Sequence, residues 1–262
     1  MKKLITSLVF ACTAALVFAG GGGDGWGIGF PVKGNGDIIT SEKPVSAFNG
    51  IHISGKTAVY YHASPEYRAV VTVDSNLNEY TSVYTENNVL NIGTKNGINC
   101  IFTKYIVDVY CPGVEAVSLS GSVSFEAKDK INSSSFRVDM SGFGKIDGNF
   151  ECDDFSVSIS GSGDMNCNVV CSAFSADVSG DANITVSGTV NSMDISISGA
   201  GDFNGSELRA NSAAVSTSGS ATIRVWVLDT LKAVISGSGK VIYRGTPKID
   251  YKSSGAGRLE SV

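Results

Sequence analysis

Acidic residues recur at the turns of a repetitive sequence: Asp164, Asp181 and Asp202, with Asn183 and Asn204 beside them. Carboxylate and amide oxygens are hard ligands, so such residues stacked on neighbouring turns could hold Ca²⁺. The same acids could act as general acid and base on a polysaccharide, given two carboxylates at a defined gap. The surrounding sequence argues against both uses. Lys145, Lys240 and Arg258 occupy the place that Asp164 and Asp202 hold in other repeats, so the column changes sign along its length. Asp153 and Asp154 are adjacent, and their side chains are expected to diverge. His52 and His62 stand in apolar, strand-like stretches without a Ser–Asp partner signature. No catalytic residue, metal or cofactor is therefore expected, with Asp164, Asp181 and Asp202 as the weak candidates for Ca²⁺.

An aromatic and guanidinium group offers different chemistry. Trp226 lies seven residues after Gly219, and Arg244 seven after Gly237. Arg224 and Ile242 lie five after the same glycines. If equivalent positions stack, Trp226 sits over Arg244 and Arg224 over Ile242 on one outward face. An indole there could stack on a sugar ring or a partner's side chain, and the arginines add cation–π attraction.

The cysteines test the same stacking. Cys152 follows Gly142 by ten residues, and Cys171 follows Gly161 by ten. Adjacent turns about 4.8 Å apart would bring them within disulfide range. Cys100 and Cys111 flank the strand-like IFTKYIVDVY and form a second candidate pair, whereas Cys167 reads as an inward, buried thiol. Metal ligation by these cysteines would need nearby His or a paired CxxC, and neither is present.

All of these positions are set by a repeat. Ser-Gly recurs with Gly at 121, 142, 161, 180, 199, 219, 237 and 255, at intervals of 18 to 21 residues. Four residues before each of the middle glycines stand Val138, Val157, Ala176, Ile195 and Val215; two before stand Met140, Ile159, Val178, Ile197 and Thr217. Four after stand Ile146, Met165, Ile184, Phe203 and Ile223. Polar residues fill the places between. Period-two alternation on both sides of a Gly turn predicts strand, tight turn, strand. A unit this short with no helix matches one coil of a parallel β-helix, in which coils stack because none can bury its apolar face alone. About eight coils are expected, an all-β column of roughly 38 Å at the spacing of neighbouring strands. A nine-residue calcium β-roll and a propeller blade of roughly 40 residues both have the wrong period.

The chain has 262 residues, of which only 17% are charged and 31 are Gly, a composition that favours strands and turns. Residues 1–19 read as a signal peptide, with Lys2 and Lys3, the apolar stretch Leu4 to Phe18, and small residues at Val17 and Ala19. Cys12, after Val9-Phe10-Ala11, is the alternative lipidation point and would attach the chain to a membrane. Without the signal, 18 basic residues face 25 acidic ones, a net charge of −7 that disfavours nucleic acid. Residues 20–35 read as a Gly-rich flexible tether, 36–113 as a β-rich segment packed on the solenoid, and 114–262 as the repeats. The final coil has little capping, which invites end-to-end pairing of two copies.

The opening GNGDIITSEKPVSAFNGIHISGKTAVYYH, followed by serial SGSGD-type turns, resembles the exported bacterial family named putative auto-transporter adhesin, head GIN domain, common in Bacteroidetes. The resemblance covers roughly residues 35–260 and implies an extracytoplasmic β-helical protein. It carries no catalytic residues. The expected function is non-enzymatic binding of an extracellular glycan or protein through the lateral surface. A polysaccharide hydrolase or lyase and a purely structural spacer are the alternatives.

Overall fold

The computed structural model describes residues 31–262. The segment read as a signal peptide, Cys12 and the first part of the Gly-rich segment lie outside them. Among the described residues the chain is nearly all strand, and its one helical segment is the 3-10 turn Ser75–Tyr80.

The repeats form a β-solenoid of about seven turns, close to the eight expected. The last rung, Lys248–Gly255 and Arg258–Ser261, pairs with the previous turn on one side only and is exposed along most of its length. Stacking is parallel and in register: Val117 pairs with Val138, Leu119 with Met140, Gly121 with Gly142 and Phe125 with Ile146. At the other end of the column Ala213 pairs with Leu231, Thr217 with Ile235 and Gly219 with Gly237. The inward columns read from the sequence are buried, including Val138, Val157, Val178, Ile195, Ile223 and Val241. An aromatic ladder fills one corner of the interior. The rings of Phe136, Phe155 and Phe174 follow one another at centroid distances of 5.3 and 5.6 Å, edge to face. Phe150 packs 5.0 Å from Phe155 in the same stack. Offset and edge-to-face rings at such spacings gain more than their buried area alone gives.

The turn glycines are obligatory. Gly161 has φ of +149°, and a Cβ there would lie 2.5 Å from the Gly142 oxygen. Gly142 has φ of +111°, with a Cβ 2.9 Å from both Gly121 N and O. Each glycine thus admits the backbone of the glycine beneath it, which no side chain would permit.

The segment before the repeats supplies the first level and then closes the end. Gly50–Gly55 and Ala58–Ala63 lie in register beneath Ala116–Ala127, with Ile53 against Leu119, Gly55 against Gly121 and Val59 against Phe125. A glycine register was not expected before Gly121, yet Gly55 belongs to the column with φ of +83°. Val89–Thr94 and Tyr105–Cys111 form the next level outward, parallel to these two strands. Antiparallel strands then cover that level: Thr81–Glu86 on Val89–Thr94, Arg68–Asp74 on Tyr105–Cys111, and Ile38–Lys43 outermost. Asn87 and Asn88, with φ of +51° and +62°, make the two-residue hairpin turn between Thr81–Glu86 and Val89–Thr94.

Two expectations change. The tether was expected to run to residue 35, but Val32–Lys33 pairs with Cys100–Ile101, the Asn35 side chain donates to Ser75 Oγ, and the Asn35 backbone N–H donates to Asn76 Oδ1. IFTKYIVDVY is not one strand: the chain bends at Phe102–Lys104 because buried Asp74 captures the backbone there.

Candidate functional site

Trp226 lies on a strand, Thr222–Gly237, whose alternate residues Ile223, Val225 and Val227 point into the core. Period two therefore turns Arg224 and Trp226 outward. In the next turn Arg224 meets Ile242 and Trp226 meets Arg244, whose guanidinium carbon stands 4.2 Å from the indole centroid. On the other side Trp226 pairs with Arg209. Spacing from Gly199 would have put Ser206 at that position. A register shift between Gly205 and Arg209 brings the arginine there instead. A half-buried indole is thereby flanked along the solenoid axis by two exposed arginines.

The acidic column is laid out as an alternation. Asp164 accepts a bond from Asn183 Nδ2 at 3.1 Å, Asn183 pairs with Asp202, and Asp202 accepts from the Thr222 backbone at 3.2 Å. An amide separates Asp164 from Asp202, so the carboxylates are two levels apart, roughly 9.6 Å, too far to share an ion. Among the described residues no group of three His, Cys, Asp or Glu side chains could hold a metal ion.

The histidines have partners, but not one shared set. His62 Nε2 meets Asp108 at 2.9 Å and its ring stacks on Tyr110 at 4.7 Å. His52 Nδ1 lies 3.3 Å from Ser118, and burial holds its pKa below the usual value. The hydroxyl and the carboxylate thus belong to different imidazoles on different strands, which does not assemble a nucleophile–base–orienter set.

All five described cysteines are free thiols. Cys100 and Cys111 are not joined, because Cys100 pairs in the small sheet with Val32 whereas Cys111 lies beside Ala63 in the main one. Cys152 and Cys171 lie close enough to perturb one another, and the Cys171 thiol donates to the Ala173 carbonyl at 3.2 Å. Contact with Cys171 holds the Cys152 thiol below its usual value; the same contact and burial hold Cys171 above it.

The family described as putative auto-transporter adhesin, head GIN domain, matches residues 47–184 and again 147–247. The chain belongs to this family. The two overlapping matches reflect the repeat, since a solenoid aligns with itself when shifted by whole turns. A crystal structure of a putative adhesin from Parabacteroides merdae ATCC 43184 is similar at 25% identity and TM-score 0.80, over 88% of this chain and 98% of that one. A putative adhesin from Parabacteroides distasonis ATCC 8503 is similar at 26% identity and TM-score 0.81, over 89% and 100%. A putative lipid binding protein from the same strain shares the fold at 24% identity and TM-score 0.81, over 89% and 100%. No curated protein matches the chain.

One surface of this GIN-domain chain escaped the sequence reading. A cleft of about 450 Å³ opens where the Phe102–Tyr105 loop faces the turn Phe143–Lys145. Phe143 is 66% exposed. It follows Gly142 directly, a position that carries Ser122, Ser162, Asp181, Ala200, Ser220, Ser238 and Ala256 elsewhere. The signal was present in the sequence as a departure from the repeat rather than as part of it.

Proposed function

We propose that the protein is an envelope-exposed or secreted adhesin-type binding protein that holds an extracellular glycan along its lateral surface, centred on Trp226. The observation that carries this is the indole set between Arg209 and Arg244 on neighbouring turns. A rigid sheet fixes these groups at about 4.8 Å intervals, so a linear ligand lying along the axis meets them in sequence. Arg224 and the amides Asn183 and Asn204 extend the same outward face with hydrogen-bonding groups. The reading is non-enzymatic, in keeping with the adhesin family and with imidazoles that do not converge. An apolar, Lys-led N-terminus supports export, and among the described residues no helix is long and apolar enough to cross a membrane.

The test is a glycan array probed with the wild-type chain, Trp226→Ala and Arg244→Ala. The wild type should retain a defined set of glycans, and Trp226→Ala should lose them by tenfold or more while melting at an unchanged temperature. Binding that is indifferent to both substitutions would place the ligand elsewhere.

A further inference from the structure

The cleft beside Phe143 is built rather than incidental. One wall is the Phe102–Tyr105 loop, held at three points. Buried Asp74 accepts backbone bonds from Thr103 at 2.8 Å and Lys104 at 3.4 Å, and Thr57 Oγ1 donates to the Tyr105 carbonyl at 3.1 Å. The Tyr105 hydroxyl donates to the Gly93 carbonyl at 2.6 Å, and its ring packs 4.8 Å from Phe102. The opposite wall is the Gly-flanked turn that projects Phe143 into solvent.

Its charge runs against that of the molecule. The chain is net acidic, yet Lys56, Lys104 and Lys145 line the cleft together with one carboxylate, Asp164. Lys145 is occupied by Asp147 at 2.9 Å. Among the described residues Lys56 and Lys104 have no carboxylate within ion-pair distance, and both are exposed. A flat apolar ring with unpaired ammonium groups nearby complements a ligand that has an apolar face and a negative edge. The negative face of an aromatic ring attracts the C–H face of a sugar, and ammonium groups attract a carboxylate.

We propose that this cleft binds the acidic residues of a carbohydrate polymer, with a uronate carboxylate held by Lys56 and Lys104 and the sugar ring lying on Phe143. The site is separate from the Trp226 face and shares no residue with it. Exposed ion pairs alone are weak, so the aromatic contact is what gives the site selectivity over other anions, and the lysines give it selectivity over neutral sugars.

Calorimetric titration of the full chain with an oligogalacturonate and with maltohexaose tests this. The acidic oligomer should bind and the neutral one should not, and raising the salt should weaken binding. Phe143→Ser, which installs the residue common at that position, and the pair Lys56→Gln with Lys104→Gln should each weaken binding about tenfold or more. Trp226→Ala should leave it unchanged. That last variant separates the two sites: loss of array binding in Trp226→Ala bears on the lateral face alone. Equal binding of both oligomers, binding unaffected by the Phe143 and Lys variants, or binding of phosphatidylglycerol vesicles in place of the oligogalacturonate would each overturn the proposal. Absence of oligogalacturonate binding would do the same.

Discussion

Gly55 lies in register against Gly121, so the first rung of the glycine column belongs to a strand that precedes all of the end cap but its outermost strand, Ile38–Lys43. The chain leaves the solenoid after Ala63, forms the covering strands, and returns at Ala116 to stack on the level it had already made. The cap and the column therefore share a strand pair, and neither closes without the other.

Replacing a column glycine should be costly. In Gly161→Ala the new methyl would lie 2.5 Å from the Gly142 oxygen and 2.8 Å from its nitrogen, at φ of +149°. Steric strain and overpacking together predict a loss of about 3 kcal/mol, read as a lower midpoint in chemical denaturation. Ser162→Ala, one residue on and outside the column, should be nearly neutral.

Thr217 stands where the other turns, apart from Ser253 in the exposed last rung, have Ile, Val, Leu or Met, and it is 3% exposed. Its hydroxyl has no hydrogen-bond partner. Thr217→Val keeps the shape and removes the unsatisfied group, so it should stabilise the fold by about 1 kcal/mol. A fall in thermal midpoint would contradict this.

Much of this arrangement was legible and some of it was not, for physical reasons. Constant spacing exposed the columns from Val117 to Val241 and placed Trp226 against Arg244, because stacking converts equal offsets into contacts. Gly55 lay hidden because the intervening chain builds the cap, so no regular interval leads from it to Gly121. Arg209 was missed because a bulge shifts the register by more than the repeat reveals. The bend at Phe102–Lys104 depends on Asp74, a long-range contact that local alternation does not encode. Phe143 breaks the repeat, and equal spacing carries no information about a position that departs from it.

Asp74 also predicts a pH dependence. Burial pushes its pKa up, but bonds from the Gly36, Thr103 and Lys104 backbones and from the Thr103 side chain outweigh this and hold the carboxyl below its usual range. A depressed native pKa contributes stability above the unfolded value, about pH 4, and that stability is lost as pH falls through the native value. Asp74→Asn should cost about 1–3 kcal/mol at neutral pH. Its deficit relative to the wild type should shrink in acid, as denaturation curves at several pH values would record.

The thiol pair gives a chemical readout of stacking. Cys152, held below the usual thiol value by Cys171, should react with iodoacetamide at lower pH than Cys111, which burial pushes up to about 12. Mild oxidation should join Cys152 to Cys171 within one chain, found as a linked peptide by mass spectrometry. Linkage of Cys152 to any other cysteine of the same chain would contradict the register.

The lateral face is tested most directly by the fluorescence of Trp226. The chain has two tryptophans, so Trp26→Phe leaves Trp226 as the sole reporter. Titration with a glycan retained on the array should change its emission saturably, and the change should weaken when Arg244 is replaced by Ala. A glycan that binds with full affinity while the emission of Trp226 stays constant would contradict a binding face centred on this residue.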